Sequence, residues 1–299
     1  MKLTGNLGRQ FSDLMAYIVL PLGCALLPVK WSERMLRRCA RRGWILKTRS
    51  RQASDTAARL MYLADPVAWR QKWRLVELTE ARDAWFILLG RHEALLEKVR
   101  IEGEPPTPGE GLALVGLHWG PSVLALAAFR RLGLKPRFVY RNVESDIRRQ
   151  APFQYLYLRL VVRVIDRCCG GGAIAVPGAK AALATTLEGS ETPVLLMDAP
   201  PVRGRRVLMV NLLERPAPIA ADGIELLANR HARCTLFAMG LDDDNEGKQL
   251  IFTETVSADD PRELASKIAA HFNRFVLHDS SQWRLWHAAH QLFKLDLNT

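Results

Sequence analysis

The distribution of apolar residues divides the chain into a helical first third and an alternating remainder. Up to about residue 97 the apolar positions recur with helical spacing, and no strand-like run of any length precedes Val99. The Pro- and Gly-rich segment at residues 104–109 then interrupts the pattern. Beyond it, short apolar runs typical of strands alternate with longer stretches typical of helices.

These patterns predict the individual elements. Short apolar runs predict strands at residues 112–117, 137–140, 162–165, 193–197, 206–211 and 234–239. Helical spacing predicts helices at residues 32–42, 55–63, from 66 toward 75, 78–99, 121–132, 145–158, 177–188, 220–229 and 261–277. The alternation predicts an α/β fold with a mostly parallel central sheet flanked by helices. We expect residues 1–98 to form a helical membrane-docking region and residues 99–299 one α/β domain, not two independent domains.

A 16-residue apolar segment, residues 14–29, precedes a strongly basic one. It contains two prolines and a glycine and is shorter than the about 20 residues that a spanning helix needs. Residues 30–51 then contain nine Lys and Arg residues against one acid, Glu33. This pattern predicts a membrane anchor, either spanning or interfacial, with its C-terminal side in the cytoplasm. The alternative is a buried core helix followed by a solvated basic helix.

Charge and cysteine content narrow the class of protein. A net charge of +11 favours an anionic partner: phospholipid headgroups, nucleic acid or an acidic protein. The five cysteines are an odd number without Cys-x-x-Cys spacing. They argue against a disulfide framework or a zinc site and favour a reducing compartment.

One histidine occupies the position at which open α/β sheets place their chemistry. His118 follows the apolar run at residues 112–117, and Gly120 and Pro121 break that strand before a predicted helix. The carboxyl end of a parallel strand is the usual place for a ligand-binding residue. A neutral imidazole accepts a proton from a hydroxyl near neutral pH, so His118 is a candidate general base. The alternative is a core histidine satisfied by a backbone carbonyl.

The segment around His118 resembles the histidine motif of the lipid A biosynthesis lauroyl/myristoyl acyltransferases, a family of the glycerolipid acyltransferase superfamily. The family motif is His-Phe-Gly-Asn-Trp-Glu; His118 and Gly120 match it, and Val123 stands in the place of its acid. Further likenesses follow in the family's order. Residues 139–142 resemble its Val-Tyr-Arg-Pro, and residues 193–198 its apolar strand that ends in Asp. Residues 223–228 resemble its Gly-x-x-x-Leu-Ala helix, and residues 282–287 its closing Gln-Trp-x-Trp-x-His.

Because Val123 cannot orient an imidazole, a working base needs a carboxylate from elsewhere. In the family, the acid five positions after the histidine fixes the tautomer of the ring and stabilises its charged form. Asp198 ends the apolar run at residues 193–197, which places it at a carboxyl end of the sheet as well. It is the candidate partner of His118, and the alternative is a turn-forming Asp before two prolines.

Five residues are candidates for substrate binding: Gly120, Ser122, Arg141, Arg203 and Arg205. Backbone N–H groups near Gly120 are candidates for stabilising an oxyanion, and Ser122 is expected at the start of a helix. Arg141 follows a predicted strand, and the other two arginines follow Asp198. As a set they suit a glycolipid phosphate or an acidic acyl carrier protein, while each taken alone is typical of a solvated surface.

The resemblance implies a membrane-associated acyltransferase at the cytoplasmic face of a bacterial inner membrane. The expected donor is acyl carrier protein or acyl-CoA, the expected acceptor is a hydroxyl of a glycolipid or lysolipid, and an anionic membrane surface is a further partner. With His118 as base, no metal and no cofactor is expected. A second hypothesis is a catalytically degenerate protein of this fold that binds lipid or acyl carrier without turnover. A third is a basic nucleic-acid-binding protein, for which the chain contains no recognised motif.

Overall fold

The computed structural model describes residues 2–143, 145–176, 178–202, 204–257 and 259–293, and the predicted α/β class is confirmed. The strands are β1 (Val99–Glu102), β2 (Leu112–Gly116), β3 (Pro136–Arg141), β4 (Ile174–Val176), β5 (Thr192–Leu196), β6 (Val207–Leu212), β7 (Arg215–Ala220), β8 (Arg233–Leu241) and β9 (Lys248–Val256). Seven of these strands form one sheet in the order β1-β9-β8-β2-β5-β3-β4, and β6 and β7 form a separate antiparallel hairpin.

The central sheet is mostly parallel. Neighbouring strands from β8 through β2, β5 and β3 to β4 all pair in parallel, whereas β9 pairs antiparallel to β8 and carries β1 beside it. Every residue of β2 is buried, as expected for a central strand covered on both faces. The carboxyl ends of five parallel strands therefore meet at one edge of the sheet, and β2 ends near the middle of that edge.

Helices flank the sheet and form the first third of the chain. They are α1 (Lys2–Leu14), α2 (Leu20–Leu26), α3 (Val29–Arg41), α4 (Lys47–Ala58), α5 (Pro66–Leu88), α6 (Glu93–Leu96), α7 (Ala125–Arg131), α8 (Ser145–Gln150), α9 (Pro152–Cys168), α10 (Ala179–Glu188), α11 (Ala221–Asn229), α12 (Pro261–His278) and α13 (Ala289–Phe293). A π-helical turn, Met15–Val19, joins α1 to α2, and 3₁₀ turns occupy Ser122–Leu124, Ser280–Gln282 and Arg284–Ala288.

Helix α5 links the helical region to the sheet. Its first turn is capped by Asp65, whose carboxylate accepts the N–H groups of Val67 and Ala68 at 2.8 and 2.9 Å, and Pro66 opens the helix. From Trp73 onward almost every residue is buried, including several charged ones. A buried charge needs a partner of opposite sign, and Glu77 and Glu80 of α5 both pair with Arg284.

The apolar segment at residues 14–29 packs into the protein. Tyr17, Leu20 and Cys24 are buried, and the indole N–H of Trp85 on α5 donates to the Tyr17 carbonyl at 3.2 Å. This burial agrees with the core-helix alternative for the segment. One hydrophobic core continues from here through the sheet to the C-terminal helices. Among the described residues, no helix is long and apolar enough to cross a membrane.

The strand predicted at residues 162–165 is wrong, because these residues lie within helix α9. This segment, which contains three β-branched residues, is only four residues long, too short to separate the two periodicities. Over the whole helix the buried positions Tyr157, Leu160 and Val164 recur at helical spacing, while Arg159 and Arg163 face solvent. The longer pattern outweighs the local strand preference.

Other boundaries differ for identifiable reasons. The two helices predicted at residues 66–75 and 78–99 are one helix, α5, which ends before Gly90 because that residue adopts a left-handed conformation with φ of +69°. The predicted helix at residues 145–158 is divided before Pro152, which lacks a backbone donor. The helix predicted at residues 55–63 begins earlier and is α4. Strands β1, β4, β7 and β9 were absent from the sequence prediction.

Candidate active site

His118 and Asp198 are brought together by the register of two neighbouring strands. Gly116, the last residue of β2, is paired with Leu196, the last residue of β5. Each candidate residue follows its strand end by two positions, so both leave the sheet at the same level. The Met197 N–H also donates to the Gly116 carbonyl at 3.1 Å, which continues the pairing toward the site.

Asp198 accepts three hydrogen bonds. Its Oδ1 lies 2.8 Å from His118 Nδ1, and its Oδ2 accepts the His118 backbone N–H and the Trp283 indole N–H, each at 2.8 Å. Burial by itself raises the pKa of the Asp198 carboxyl, but His118 and these hydrogen bonds outweigh that effect and lower the pKa below its ordinary value. The carboxylate is therefore ionised near neutral pH, and its Oδ1 accepts a hydrogen bond from the Nδ1–H of His118.

The contact with Asp198 fixes the roles of the two ring nitrogens of His118. With Nδ1 carrying the hydrogen, Nε2 holds a lone pair. No group in the described part of the chain makes a hydrogen bond to Nε2, and the side chain is 28% exposed. His271 contrasts with it, since its two nitrogens contact the Phe237 carbonyl at 2.9 Å and Thr253 at 3.2 Å. His271 is the core histidine of this fold, and His118 has a free acceptor facing outward.

The loop after β2 is held by the C-terminal segment. Trp119 forms an isolated antiparallel bridge with Trp283, in which the Gly120 N–H donates to the Gln282 carbonyl at 2.8 Å and the Arg284 N–H donates to the His118 carbonyl at 2.9 Å. Gly120 has a φ of +67°, and a Cβ there would lie 2.3 Å from the Cα of Gly240. Gly120 is required by packing, and its own N–H is bonded to the Gln282 carbonyl and is not available to an oxyanion.

Val123 follows His118 by five positions, and a carboxylate from helix α5 meets its backbone. Val123 is buried, and its N–H donates to Glu80 Oε2 at 2.9 Å. Arg284 donates to Glu80 at 2.5 Å through Nη1 and to Glu77 at 2.8 Å through Nε. Arg284 thus connects the carbonyl of His118 to two buried acids, and this network fixes both ends of the loop.

The remaining substrate-binding candidates have different surroundings. Ser122 begins the 3₁₀ turn, as expected, and is half-buried. Arg141 ends β3, is exposed, and donates to the Pro200 carbonyl at 2.9 Å, which ties it to the loop after Asp198. Arg205 is exposed, and Arg203 lies outside the described residues. The side chain of Arg141 is therefore held against the loop that follows Asp198.

Three residues of the site were not identified as functional from the sequence: Glu80, Trp283 and Arg284. The last two lie within residues 282–287, which resemble the closing family motif, but that resemblance gave them no role. Glu80 had a weaker signal, since Glu77, Glu80 and Asp83 recur at three-residue spacing, which places them close to one another on a helix. An acid at a core-facing position indicates a buried partner.

The surroundings of Asp198 are mostly apolar. A cavity of about 10 Å³ lies on the inner side of Asp198, which is about the space of one water molecule. Leu117, Met197, Ile219 and Phe272 contribute to its apolar lining. In such surroundings the hydrogen bonds of the carboxylate are stronger than in water. Within the described residues, no group of three His, Cys, Asp or Glu side chains is arranged to hold a metal ion, and all five cysteines are free thiols.

Comparison with known proteins adds no relative. No protein-family model matches the chain, and no curated protein matches it in sequence. The function is therefore argued from the residues of the site and from their geometry.

Proposed function

We propose that this protein transfers a fatty acyl group from a thioester to a hydroxyl, with His118 as general base and Asp198 as the residue that orients it. The observation that carries the proposal is the pair itself: Nδ1 of His118 is held at 2.8 Å by a buried carboxylate, while Nε2 has no hydrogen-bond partner among the described residues and the side chain is partly exposed. A histidine oriented in this way takes a proton from a hydroxyl and later returns it.

The proposed reaction needs one base and no covalent enzyme intermediate. Nε2 of His118 accepts the proton of the acceptor hydroxyl as the hydroxyl oxygen attacks the thioester carbonyl carbon. The tetrahedral intermediate then breaks its carbon–sulfur bond, and the imidazolium returns the proton to the leaving thiolate. Asp198 stabilises the imidazolium in between, because its charge lies against Nδ1. The products are an ester and a free thiol.

The substrates we propose are an acyl carrier protein or acyl-CoA as donor and a glycolipid or lysolipid as acceptor. Both donors carry phosphate groups, and an acyl carrier is acidic, so the net charge of +11 favours either. Arg141 and Arg205 are exposed arginines on segments that flank the dyad. Guanidinium groups bind phosphate oxygens in a bidentate manner, which suits this position.

We further propose that the N-terminal helices rest on an anionic membrane surface, at the cytoplasmic face of a bacterial inner membrane. The supporting residues are exposed apolar ones: Leu26 and Trp31 are each 62% exposed, and Phe11 stacks on the exposed Trp44. Lys30 and Arg34 of α3 are exposed close to Trp31 in sequence, and the guanidinium of Arg34 lies 5.8 Å from the centroid of the Trp31 ring. Aromatic side chains beside basic ones are typical of interfacial helices.

Replacement of Leu26 and Trp31 by serine is expected to weaken binding to vesicles of anionic phospholipid by at least about tenfold, because two apolar side chains leave the interface. Both residues are exposed, so the fold should persist. The matched control is Met209→Ser with Leu277→Ser, which removes two equally exposed apolar side chains elsewhere. Vesicle co-sedimentation measures both. Equal losses in the two double variants would contradict membrane contact through this surface.

His118→Ala is expected to lower the rate of acyl transfer by about 10³-fold, because the base is lost. The substitution removes one hydrogen bond of a half-exposed ring, so the unfolding free energy should fall by only about 1–2 kcal/mol. His231→Ala is the control, since His231 forms an exposed pair with Asp259 at 2.7 Å and should leave the rate unchanged.

The assay is transfer of a radiolabelled acyl group by purified protein, with the fraction of folded protein measured in parallel. A loss of activity that only follows a loss of folded protein would return His118 to the role of a core histidine. A wild-type protein that binds the acyl carrier but forms no ester would support the degenerate, binding-only hypothesis.

A further inference from the structure

A second cavity, with several charged residues in its lining, lies apart from the His118–Asp198 pair. It has a volume of about 30 Å³ and lies between α3, α5 and the start of β9, and we call it the α3–α5 cavity. Arg82 and Lys248 line its buried side, and Arg37, Lys98, Glu33 and Glu246 contribute charged groups to its lining. It shares no lining residue with the His118 site, and the proposed acyl transfer makes no use of it.

The buried side of the α3–α5 cavity contains more positive than negative charge. Arg82 donates through Nε and Nη2 to Asp83 Oδ1, at 3.0 and 2.8 Å, and Lys248 Nζ lies 2.7 Å from Asp83 Oδ2. All three residues are buried, Arg82 to within 1% of complete burial. One carboxylate therefore faces two cations, and the group carries a net positive charge.

The outer charges do not correct this excess. Arg37 pairs with Glu246 at 3.2 Å, and Lys98 pairs with Glu33 at 3.3 Å, so the lining carboxylates already have partners. In addition, Nη1 of Arg82 is buried and makes no hydrogen bond to any described group. Burial lowers the pKa of Lys248 to about 8, partly offset by Asp83, so the ammonium is still mostly protonated at neutral pH. Buried cations with spare donors are costly unless an anion accepts from them.

We propose that the α3–α5 cavity binds one phosphate group, either as inorganic phosphate or as the monoester headgroup of a lipid. A phosphate oxygen would accept from Arg82 Nη1 and another from Lys248 Nζ, and the anion would neutralise the buried excess of positive charge. The outer pairs, which include the exposed side chains of Glu246 and Lys98, mark the side from which the group would enter.

The first experiment titrates inorganic phosphate into the full-length protein by isothermal calorimetry. Wild type is expected to bind with a dissociation constant in the millimolar range or tighter. Lys98→Glu reverses a charge in the lining and should weaken binding by about tenfold. Lys267→Glu is the matched control, because Lys267 is also a partly exposed lysine paired with one acid, Glu263, but does not line the cavity. Its effect should stay below about twofold, since salt screens a charge outside the cavity.

The second experiment identifies the source of the phosphate. Vesicles containing phosphatidate are compared with vesicles of the same net charge made with phosphatidylglycerol, a phosphodiester. A preference for phosphatidate that Lys98→Glu abolishes indicates a lipid monoester. Binding of inorganic phosphate without such a preference indicates a free anion.

Two results would overturn the proposal. One is no heat of binding for wild type up to about 20 mM phosphate together with no preference for phosphatidate. The other is an equal weakening by Lys98→Glu and Lys267→Glu, which would mean that phosphate binding responds only to surface charge. Lys248→Met should also abolish phosphate binding. If that variant does not fold, the comparison of the two charge-reversal variants at partly exposed residues still tests the proposal.

Discussion

Asp198→Asn is expected to lower the turnover of acyl transfer by about 10⁴-fold while the KM for the acceptor stays near its wild-type value. The amide nitrogen of the new side chain would donate toward His118 Nδ1, because the amide oxygen is retained by the His118 backbone N–H and by Trp283. The imidazole must then carry its hydrogen on Nε2, which is the nitrogen that has to accept a proton. The base is lost although the geometry is kept.

The control for this substitution is Asp259→Asn, which changes the exposed carboxylate that lies 2.7 Å from His231. It should leave turnover unchanged. Steady-state kinetics with a thioester donor and a range of acceptor concentrations separate turnover from KM. A turnover of Asp198→Asn within about tenfold of wild type would mean that His118 works without this carboxylate, or is not the base.

Arg284→Met is expected to lower the free energy of unfolding by about 3–5 kcal/mol. The substitution leaves the carboxylates of Glu77 and Glu80 buried next to each other without their shared cation. The Val123 N–H alone cannot compensate for two charges. Because the same residue holds the His118 carbonyl through its backbone, the loop around the base should also become more mobile in the variant.

The loss of unfolding free energy in the Arg284→Met variant should depend on pH. Burial raises the pKa of Glu80 even with Arg284 present, and removal of the cation raises it further. A carboxyl whose pKa is higher in the folded than in the unfolded state contributes stability that is lost as pH rises through the folded pKa. The variant should therefore be closer to wild type at pH 5 than at pH 8.

Urea denaturation at both pH values measures this loss. Arg230→Met is the matched control, because Arg230 pairs with Glu188 at the surface and its removal should cost only about 0–1 kcal/mol. Replacing Glu77 and Glu80 by glutamine should recover part of the stability of Arg284→Met. A loss below about 1 kcal/mol in Arg284→Met would show that the buried network contributes little to the fold.

The fold class and the positions of the two dyad residues were accessible from the sequence because both depend on local patterns. Apolar runs identify β2 and β5, and a polar residue just after such a run lies at the carboxyl edge of a parallel sheet. What the sequence could not supply is that β2 and β5 are neighbours with their ends in register. Strand order depends on contacts between distant segments, so the pairing of His118 with Asp198 was a hypothesis until the register was known.

The remaining differences also arise from tertiary packing. The apolar residues 14–29 resemble a membrane anchor in composition, yet many of them face α5, and only the packing partner distinguishes the two roles. Glu80 and Arg284 lie far apart in sequence, so neither residue identifies the other as its partner. Strand β7 contains two prolines, which oppose strand formation in general but are tolerated in its two-stranded hairpin.

The most direct test of the central claim is a stoichiometry measurement on purified full-length protein. The protein is mixed with an acyl-carrier thioester, with and without a lysolipid or glycolipid acceptor, and the released thiol and the new ester are quantified together. The proposed mechanism predicts one thiol per ester, no rapid thiol release without acceptor, and loss of both products in His118→Ala. Wild-type protein that releases no thiol in the presence of either acceptor would contradict the assignment of acyl transfer to the His118–Asp198 pair.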